Sequence, residues 1–220
     1  MNKYILCLLL LFASTAAIVA DEHKTQIKIV DPKAAVSAVD TILRKHNEMK
    51  AVHDYVGNIA NKFKRDPYVM TGIAKAYYNF YTQRGYIGYS YYTKDSVRAY
   101  QYIERALKVN SKYAPAYVRA GEIQVVMKDT AEAIKWFNRG IEANPKAPDC
   151  YIAHAKLILL NDSVEGIKKL EQIRLHNPDY PVYLEAARIY EDADKTRLAL
   201  NNYAKTELSK MEVQDLSDYA

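Results

Sequence analysis

Cysteine and histidine are the side chains of this sequence best suited to chemistry, and two of them are close together. Cys150 and His154 lie four residues apart, which places them on one face of a helix. A cysteine attacks a substrate only as a thiolate, which normally requires a base and a third group that orients the base. No third group can be identified, so we do not predict a catalytic cysteine.

The second candidate pair consists of two histidines that are separated by two helical turns. His46 and His53 lie seven residues apart, with Glu48 and Asp54 nearby. Two turns span about 10 Å, which is too far for two ligands of one metal unless the helix bends. The sequence also lacks a P-loop and the G-x-G-x-x-G, H-E-x-x-H and G-x-S-x-G motifs. We therefore predict a protein that is not an enzyme, with no catalytic, cofactor-binding or metal-binding residues.

Tyrosine is unusually frequent, with 20 residues against four phenylalanines and one tryptophan. Many of these tyrosines lie between positions 77 and 92, where Gly85 and Gly88 interrupt the helical pattern and predict a loop. A tyrosine ring has an apolar face and a polar tip, which suits sugar stacking or a protein-binding hot spot. The alternative is that these rings fold back onto the hairpin. The possible ligand loop contains Tyr86, Tyr89, Tyr91 and Tyr92.

Composition limits the class of protein. The chain has 220 residues, half of them hydrophobic, and only seven glycines and seven prolines, which argues against an all-β fold. Its formal charge is +5, with 31 basic and 26 acidic residues intermixed along the chain. Because no run of basic residues is present, we predict no binding to nucleic acid.

The first twenty residues have the form of a secretory signal peptide. Lys3 provides the positive start, residues 5–12 form an unbroken apolar block, and small residues continue to Ala20. We predict an exported protein, periplasmic or associated with the outer membrane of a bacterium. Residues 21–32 are predicted to be an extended leader, and no later segment is apolar enough to span a membrane.

The rest of the chain contains a repeat of about 34 residues, which is clearest over 114–147. Spacings of three and four residues place the repeated positions on one face of each of two helices. The first helix carries Tyr117, Ala120 and Gly121, and the second carries Ala133, Phe137, Gly140 and Pro145. We predict that Gly121 faces Ala133, because small side chains let two helices approach closely.

This pattern resembles the tetratricopeptide repeat (TPR), in which aromatic and small residues alternate and a proline closes each unit. The resemblance implies an all-α protein, a right-handed α-solenoid of helical hairpins. The predicted units are an N-terminal helical pair or cap at 33–66, a hairpin with the tyrosine-rich insertion at 67–113, and repeats at 114–147, 148–179 and 180–212. Residues 213–220 are predicted to begin a further helix, so that either the array continues beyond Ala220 or this last helix caps the array on its own.

In TPR proteins the concave face, formed mainly by the first helix of each hairpin, binds the partner. The resemblance therefore implies a partner-binding groove formed by Tyr68, Lys75, Tyr78, Val118, Glu122, Val125, Ile152, Lys156, Leu159, Leu184 and Arg188. This groove is apolar, with a few charges of both signs, and suits an extended peptide or a partner helix. The asparagines and the lysine arrangement of the TPR clamp for a terminal carboxylate are absent.

Three functions are compatible with these features. The leading hypothesis is a non-catalytic scaffold that mediates protein–protein interaction outside the cytoplasm. A glycan-binding cell-surface protein that uses the tyrosine-rich loop is the first alternative, although proteins of that kind are usually longer and lipidated. A subunit of an envelope assembly or secretion complex is the second alternative.

Overall fold

The computed structural model describes residues 31–46, 50–78 and 95–206 of the chain. The regular elements in these ranges are ten α-helices and one short 3-10 helix, as expected for the all-α class. None of these helices has both the length and the apolar character needed to cross a membrane. The chain divides between Ser111 and Lys112 into two compact units, the N-terminal and the C-terminal unit.

The N-terminal unit contains four described helices: α1 (Pro32–His46), α2 (Lys50–Lys62), α3 (Pro67–Tyr77) and α4 (Ser96–Val109). Helix α3 packs extensively against α4 on one side and against α1 on another. The contact with α1 depends on Gly72, because a Cβ atom there would lie 2.4 Å from Cγ2 of Val36. Helices α1 and α2 occupy the region of the predicted N-terminal pair, and α3 and α4 flank the tyrosine-rich insertion.

The C-terminal unit contains three successive helical pairs. They are α5 (Ala114–Val126) with α6 (Thr130–Ala143), α7 (Asp149–Leu159) with α8 (Ser163–Glu171), and α9 (Val182–Asp192) with α10 (Thr196–Tyr203). A 3-10 helix, Gln172–Leu175, extends the end of α8. The first helices of successive pairs are also in contact: α5 packs against α7, and α7 packs against α9.

Aspartate side chains cap the N-termini of five described helices, and for α1 this residue is Asp31, which accepts from Ala34 N at 2.9 Å. Asp66, Asp95, Asp129 and Asp162 are the N-cap residues of α3, α4, α6 and α8. Each carboxylate accepts a hydrogen bond from a backbone N–H in the first helical turn, for example from Glu132 N at 3.0 Å in α6. These N–H groups have no partner within the helix, so the carboxylates define where these helices begin.

Two hairpins of the C-terminal unit turn in the same way without glycine. Lys128 and Asp194 adopt the left-handed conformation, with φ of 65° and 58°. The residue after each donates its N–H to a carbonyl five residues earlier, Asp129 to Gln124 at 2.9 Å and Lys195 to Tyr190 at 2.8 Å. This is the Schellman arrangement, which satisfies the last carbonyl groups of a helix. It closes the turns after α5 and α9.

Small residues allow the helices of the C-terminal unit to pack closely. One of them, Gly121, has a different nearest neighbour from the one that the sequence predicted. A Cβ atom on Gly121 would lie 2.2 Å from Cε1 of Phe137, so the nearest neighbour is this aromatic ring and not the predicted Ala133. On Gly140 the added atom would lie 2.3 Å from Sγ of Cys150. On Gly166 it would lie 2.6 Å from Cα of Leu159. Glycine at these positions lets an aromatic ring, a thiol or a backbone occupy the space of a side chain.

Candidate functional site

Six of the predicted partner-binding residues keep accessible side chains in the C-terminal unit. They are Val118, Glu122 and Val125 on α5, Ile152 and Lys156 on α7, and Arg188 on α9. We call these six residues the first-helix surface, because they lie on three first helices that pack in sequence. Val125 and Lys156 are exposed, whereas the other four are half-buried.

Ion pairs connect charged residues at this surface. Lys156 lies 3.3 Å from Asp192, which links α7 to α9, and Glu122 lies 2.8 Å from Arg119 within α5. The Lys156–Asp192 pair is exposed on both sides, and exposed pairs contribute about 0–1 kcal/mol to stability. Lys156 can therefore exchange its present partner for a carboxylate of a bound protein at little cost.

An apolar edge that the sequence analysis only partly identified adjoins the first-helix surface. Val125, Val126 and Met127 are all exposed where α5 ends, and Leu160 is exposed just after α7. The run of three apolar residues directly before the turn at Lys128 was the available signal for this edge. These side chains increase the apolar area that a partner can cover.

Three predicted groove residues are buried instead of accessible. The exposed fractions of Tyr78, Leu159 and Leu184 are 5%, 1% and 3%. Leu159 lies against Gly166 of α8, and Leu184 belongs to the hydrophobic core that α7, α8, α9 and α10 share. A side chain enclosed in this way cannot contact a partner, so we remove all three residues from the candidate surface.

The remaining predicted residues lie in the N-terminal unit or outside the described ranges. Tyr68 is exposed in the first turn of α3, and Lys75 is half-buried on the same helix. The predicted signal peptide, most of the leader and the predicted further helix at the end of the chain lie outside the described residues. The same holds for the predicted ligand-loop residues Tyr86, Tyr89, Tyr91 and Tyr92.

The structure explains why Cys150 is a packing residue. Its thiol is buried and donates to the carbonyl oxygen of Ala114 at 3.7 Å. Burial, with a smaller contribution from the charge of Asp149, raises the pKa of the Cys150 thiol to about 12. A thiol with this pKa is almost entirely protonated at neutral pH and is a poor nucleophile.

His154 also lies in the interior. Its ring centroid lies 6.3 Å from that of Phe137, and its Nδ1 atom is buried with no hydrogen-bonding partner among the described residues. Burial, followed by the positive charge of Lys169, lowers the pKa of His154 to about 4. The imidazole is therefore neutral at pH 7 and contributes to packing.

His53 of α2 is bonded to a tyrosine of α3. Its Nδ1 atom lies 3.0 Å from the hydroxyl of Tyr77, and the two rings stack with centroids 5.7 Å apart. The side chain of His46 lies outside the described part of the structure. Within the described ranges, no three His, Cys, Asp or Glu side chains are grouped as metal ligands.

Comparison with a protein family agrees with the helical pairs described above. The sequence model of the Tetratricopeptide repeat family matches residues 93–157, a range that contains α4, α5, α6 and most of α7. Residues 93–157 therefore contain tetratricopeptide repeats. Repeats of this family generally act as scaffolds for protein–protein interaction.

Several solved structures are similar to this chain at low sequence identity. TTC0263, a thermophilic TPR protein of Thermus thermophilus, is 13% identical with a TM-score of 0.48, covering 86% of this chain and 97% of its own. MamA is 14% identical with a TM-score of 0.42, covering 80% and 91%. YrrB, described as a TPR protein with an unusual peptide-binding site, is 13% identical with a TM-score of 0.38, covering 83% and 89%. A comparison with curated protein sequences found no match.

Proposed function

We propose that this protein is a non-catalytic scaffold that acts outside the cytoplasm and binds a peptide or a partner helix on its first-helix surface. The observation that carries this proposal is the continuous packing of α5, α7 and α9, each of which contributes accessible side chains. Helical repeats use such a row of helices to bind extended or helical ligands.

The chemistry of the surface favours an amphipathic partner. Val125 is 36% exposed and adjoins the exposed pair Val126 and Met127, which provides an apolar area at the end of α5. Lys156 and Glu122 add charges of both signs to the first-helix surface. An amphipathic helix or an alternating peptide can bury its apolar side here and pair its charges at the rim.

We expect two exposed substitutions on this surface to weaken partner binding at least tenfold. Val125→Glu together with Lys156→Glu adds two negative charges and removes one positive charge where apolar and cationic groups now face the partner. Tenfold corresponds to about 1.4 kcal/mol, within the range expected for removing central interface contacts. The partner is first captured from envelope extract, then purified, and its Kd is measured by isothermal titration calorimetry.

The matched control makes the same change on a second helix of the same unit. Val164 is 64% exposed on α8, and Lys168 forms an exposed ion pair with Glu165, as Lys156 does with Asp192. Val164→Glu with Lys168→Glu should leave the Kd unchanged. If both double variants weaken binding equally, the effect comes from total charge and the proposed surface is wrong.

Export is a separate part of the proposal, supported by the composition of residues 1–20. We expect residues 1–24, fused to a reporter enzyme that is active only outside the cytoplasm, to yield an active reporter in bacteria. Leu8→Arg with Leu10→Arg should abolish the activity, because it interrupts the apolar block that signal peptides require. An inactive fusion with the unaltered segment would refute export by a signal peptide.

A further inference from the structure

A cleft in the N-terminal unit has no role in the function proposed above. Its volume is about 490 Å³, which is within the usual range of ligand-binding pockets. The lining residues come from three helices: His53 of α2, Tyr77 of α3, and Arg98, Gln101, Tyr102, Glu104, Arg105 and Lys108 of α4. The cleft is thus formed mainly by the second helix of its pair, whereas the first-helix surface lies in the other unit.

Three stacked rings form the apolar base of the cleft, and two of them, Tyr77 and Tyr102, are buried. Tyr77 and Tyr102 have ring centroids 5.7 Å apart and planes inclined by 11°. His53 also stacks on Tyr77, at the same centroid distance, and bonds to the Tyr77 hydroxyl. Burial and the positive charge of Arg98 hold the pKa of His53 below its ordinary value, which favours the neutral ring.

Basic side chains line the cleft along α4. The guanidinium of Arg98 lies 6.0 Å from the Tyr77 centroid and is bonded to Asp95, the N-cap residue of the helix. The guanidinium of Arg105, two turns further, lies 5.0 Å from the Tyr102 centroid. Lys108 is exposed one turn beyond it. The distance along the helix from the first to the last of these cations is about 15 Å.

We propose that this cleft binds a short acidic segment of a partner protein in an extended conformation. The carboxylates of the segment would pair with Arg105 and Lys108, while Tyr77 and Tyr102, which are only 2% and 8% exposed, form the packed base of the cleft. Arginine recognises a carboxylate through two parallel hydrogen bonds. A length of about 15 Å accommodates four or five extended residues. This site shares no residue with the first-helix surface, so either can be wrong while the other holds.

An acidic peptide fits this cleft better than a nucleic acid does. Glu104 is part of the lining, and its carboxylate repels a continuous phosphate backbone. A peptide can place neutral residues beside Glu104 and its own carboxylates beside the cations. The guanidinium of Arg105 in the lining also favours tyrosine or phenylalanine side chains, whose rings contact cations.

The test measures how a defined peptide binds the full mature chain. The probe is a fluorescein-labelled hexapeptide of alternating glutamate and tyrosine, and its control replaces each glutamate with glutamine. We expect the glutamate peptide to raise the fluorescence anisotropy and the glutamine peptide to bind at least tenfold more weakly. Arg105→Gln with Lys108→Gln should weaken binding of the glutamate peptide at least tenfold.

A control variant on α6 has the same chemistry outside the cleft. Arg139 stacks on Trp136 at 4.1 Å, and Lys135 pairs with Glu132, so Arg139→Gln with Lys135→Gln removes equal charge from a similar setting. This variant, and Val125→Glu with Lys156→Glu, should bind the glutamate peptide like the unaltered chain. If Arg105→Gln disturbs folding by circular dichroism, Lys108→Gln alone, at an exposed position, should still weaken binding several-fold.

Three results would overturn the proposal. One is absence of binding by the unaltered chain at millimolar peptide. Another is equal loss of affinity in the α4 and α6 variants, which would indicate attraction by total charge. The third is displacement of the peptide by a short single-stranded DNA at lower concentration than by unlabelled peptide, which would favour a nucleic-acid site.

Discussion

Acidification from pH 8 to pH 5 is expected to reduce the free energy of unfolding by about 2 kcal/mol through His154 alone, and His154→Leu should abolish that reduction. Burial lowers the pKa of this residue to about 4 in the folded protein, whereas an unfolded chain protonates its histidines near 6.5. At pH values between about 4 and 6.5, His154 is protonated in the unfolded state but neutral in the folded state. The contribution of neutral His154 to the free energy of unfolding is therefore fully present above about pH 7 and is lost as the pH falls toward 4.

The measurement is urea unfolding at several pH values, followed by the fluorescence of Trp136. Trp136 is the single tryptophan of the chain and lies on α6, so it reports on the unit that contains His154. Other groups titrate in both proteins, and the informative quantity is the difference between the two pH profiles. Parallel profiles for the unaltered chain and His154→Leu would contradict the prediction.

A second variant separates burial from charge as the cause. Lys169 makes the smaller contribution that holds the pKa of His154 down, and burial makes the larger one. Lys169→Gln should therefore raise the pKa of His154 slightly and diminish the pH-dependent loss without removing it. Removal of the whole loss by Lys169→Gln would assign the effect to charge and not to desolvation.

The helical architecture could be predicted from the sequence because helical spacing and small residues are local signals. Aromatic and small residues recur at intervals that define which side of each helix is buried. Examples are Tyr117, Phe137 and Gly140, and all three are buried in the structure. The aspartates before α4, α6 and α8 mark where those three helices begin. Such features depend on neighbours a few residues away, so periodicity alone identifies them.

The binding surfaces were harder to predict because accessibility depends on the neighbouring helix. Leu159 occupies a position that the repeat assigns to the groove, but the approach of α8 at Gly166 buries it. The cleft at α4 was missed for a similar reason. Tyr77 and Tyr102 are 25 positions apart, and only the packing of α3 on α4 stacks them. Spacing along one helix cannot reveal a site that three helices form together.

Gly166→Ala is expected to destabilise the protein by about 2 kcal/mol, although alanine is the better helix former. The added Cβ would lie 2.6 Å from the Cα atom of Leu159, a backbone atom that no side-chain rotation can move. Helices α7 and α8 must therefore separate, which loosens the surrounding core. The change is measured by urea unfolding with the fluorescence of Trp136.

Gly57→Ala is the matched control, with an expected effect of opposite sign. Gly57 also lies within a helix, α2, but an added Cβ would have no neighbour within 4 Å. The substitution should stabilise the protein by up to about 1 kcal/mol, because alanine loses less backbone entropy on folding. Circular dichroism of the whole chain measures this change. Equal effects at the two positions would mean that helix propensity, not close packing, determines the response at Gly166.

Double variants can show whether a side chain or the backbone creates each close contact. At Gly121 the nearest atoms belong to the ring of Phe137, so Gly121→Ala and Phe137→Leu should compensate one another by about 1 kcal/mol or more. At Gly166 the Cα atom of Leu159 remains after Leu159→Ala, and the two losses should add with little compensation. The same substitution, glycine to alanine, thus has an outcome that depends on which part of the facing residue occupies the space.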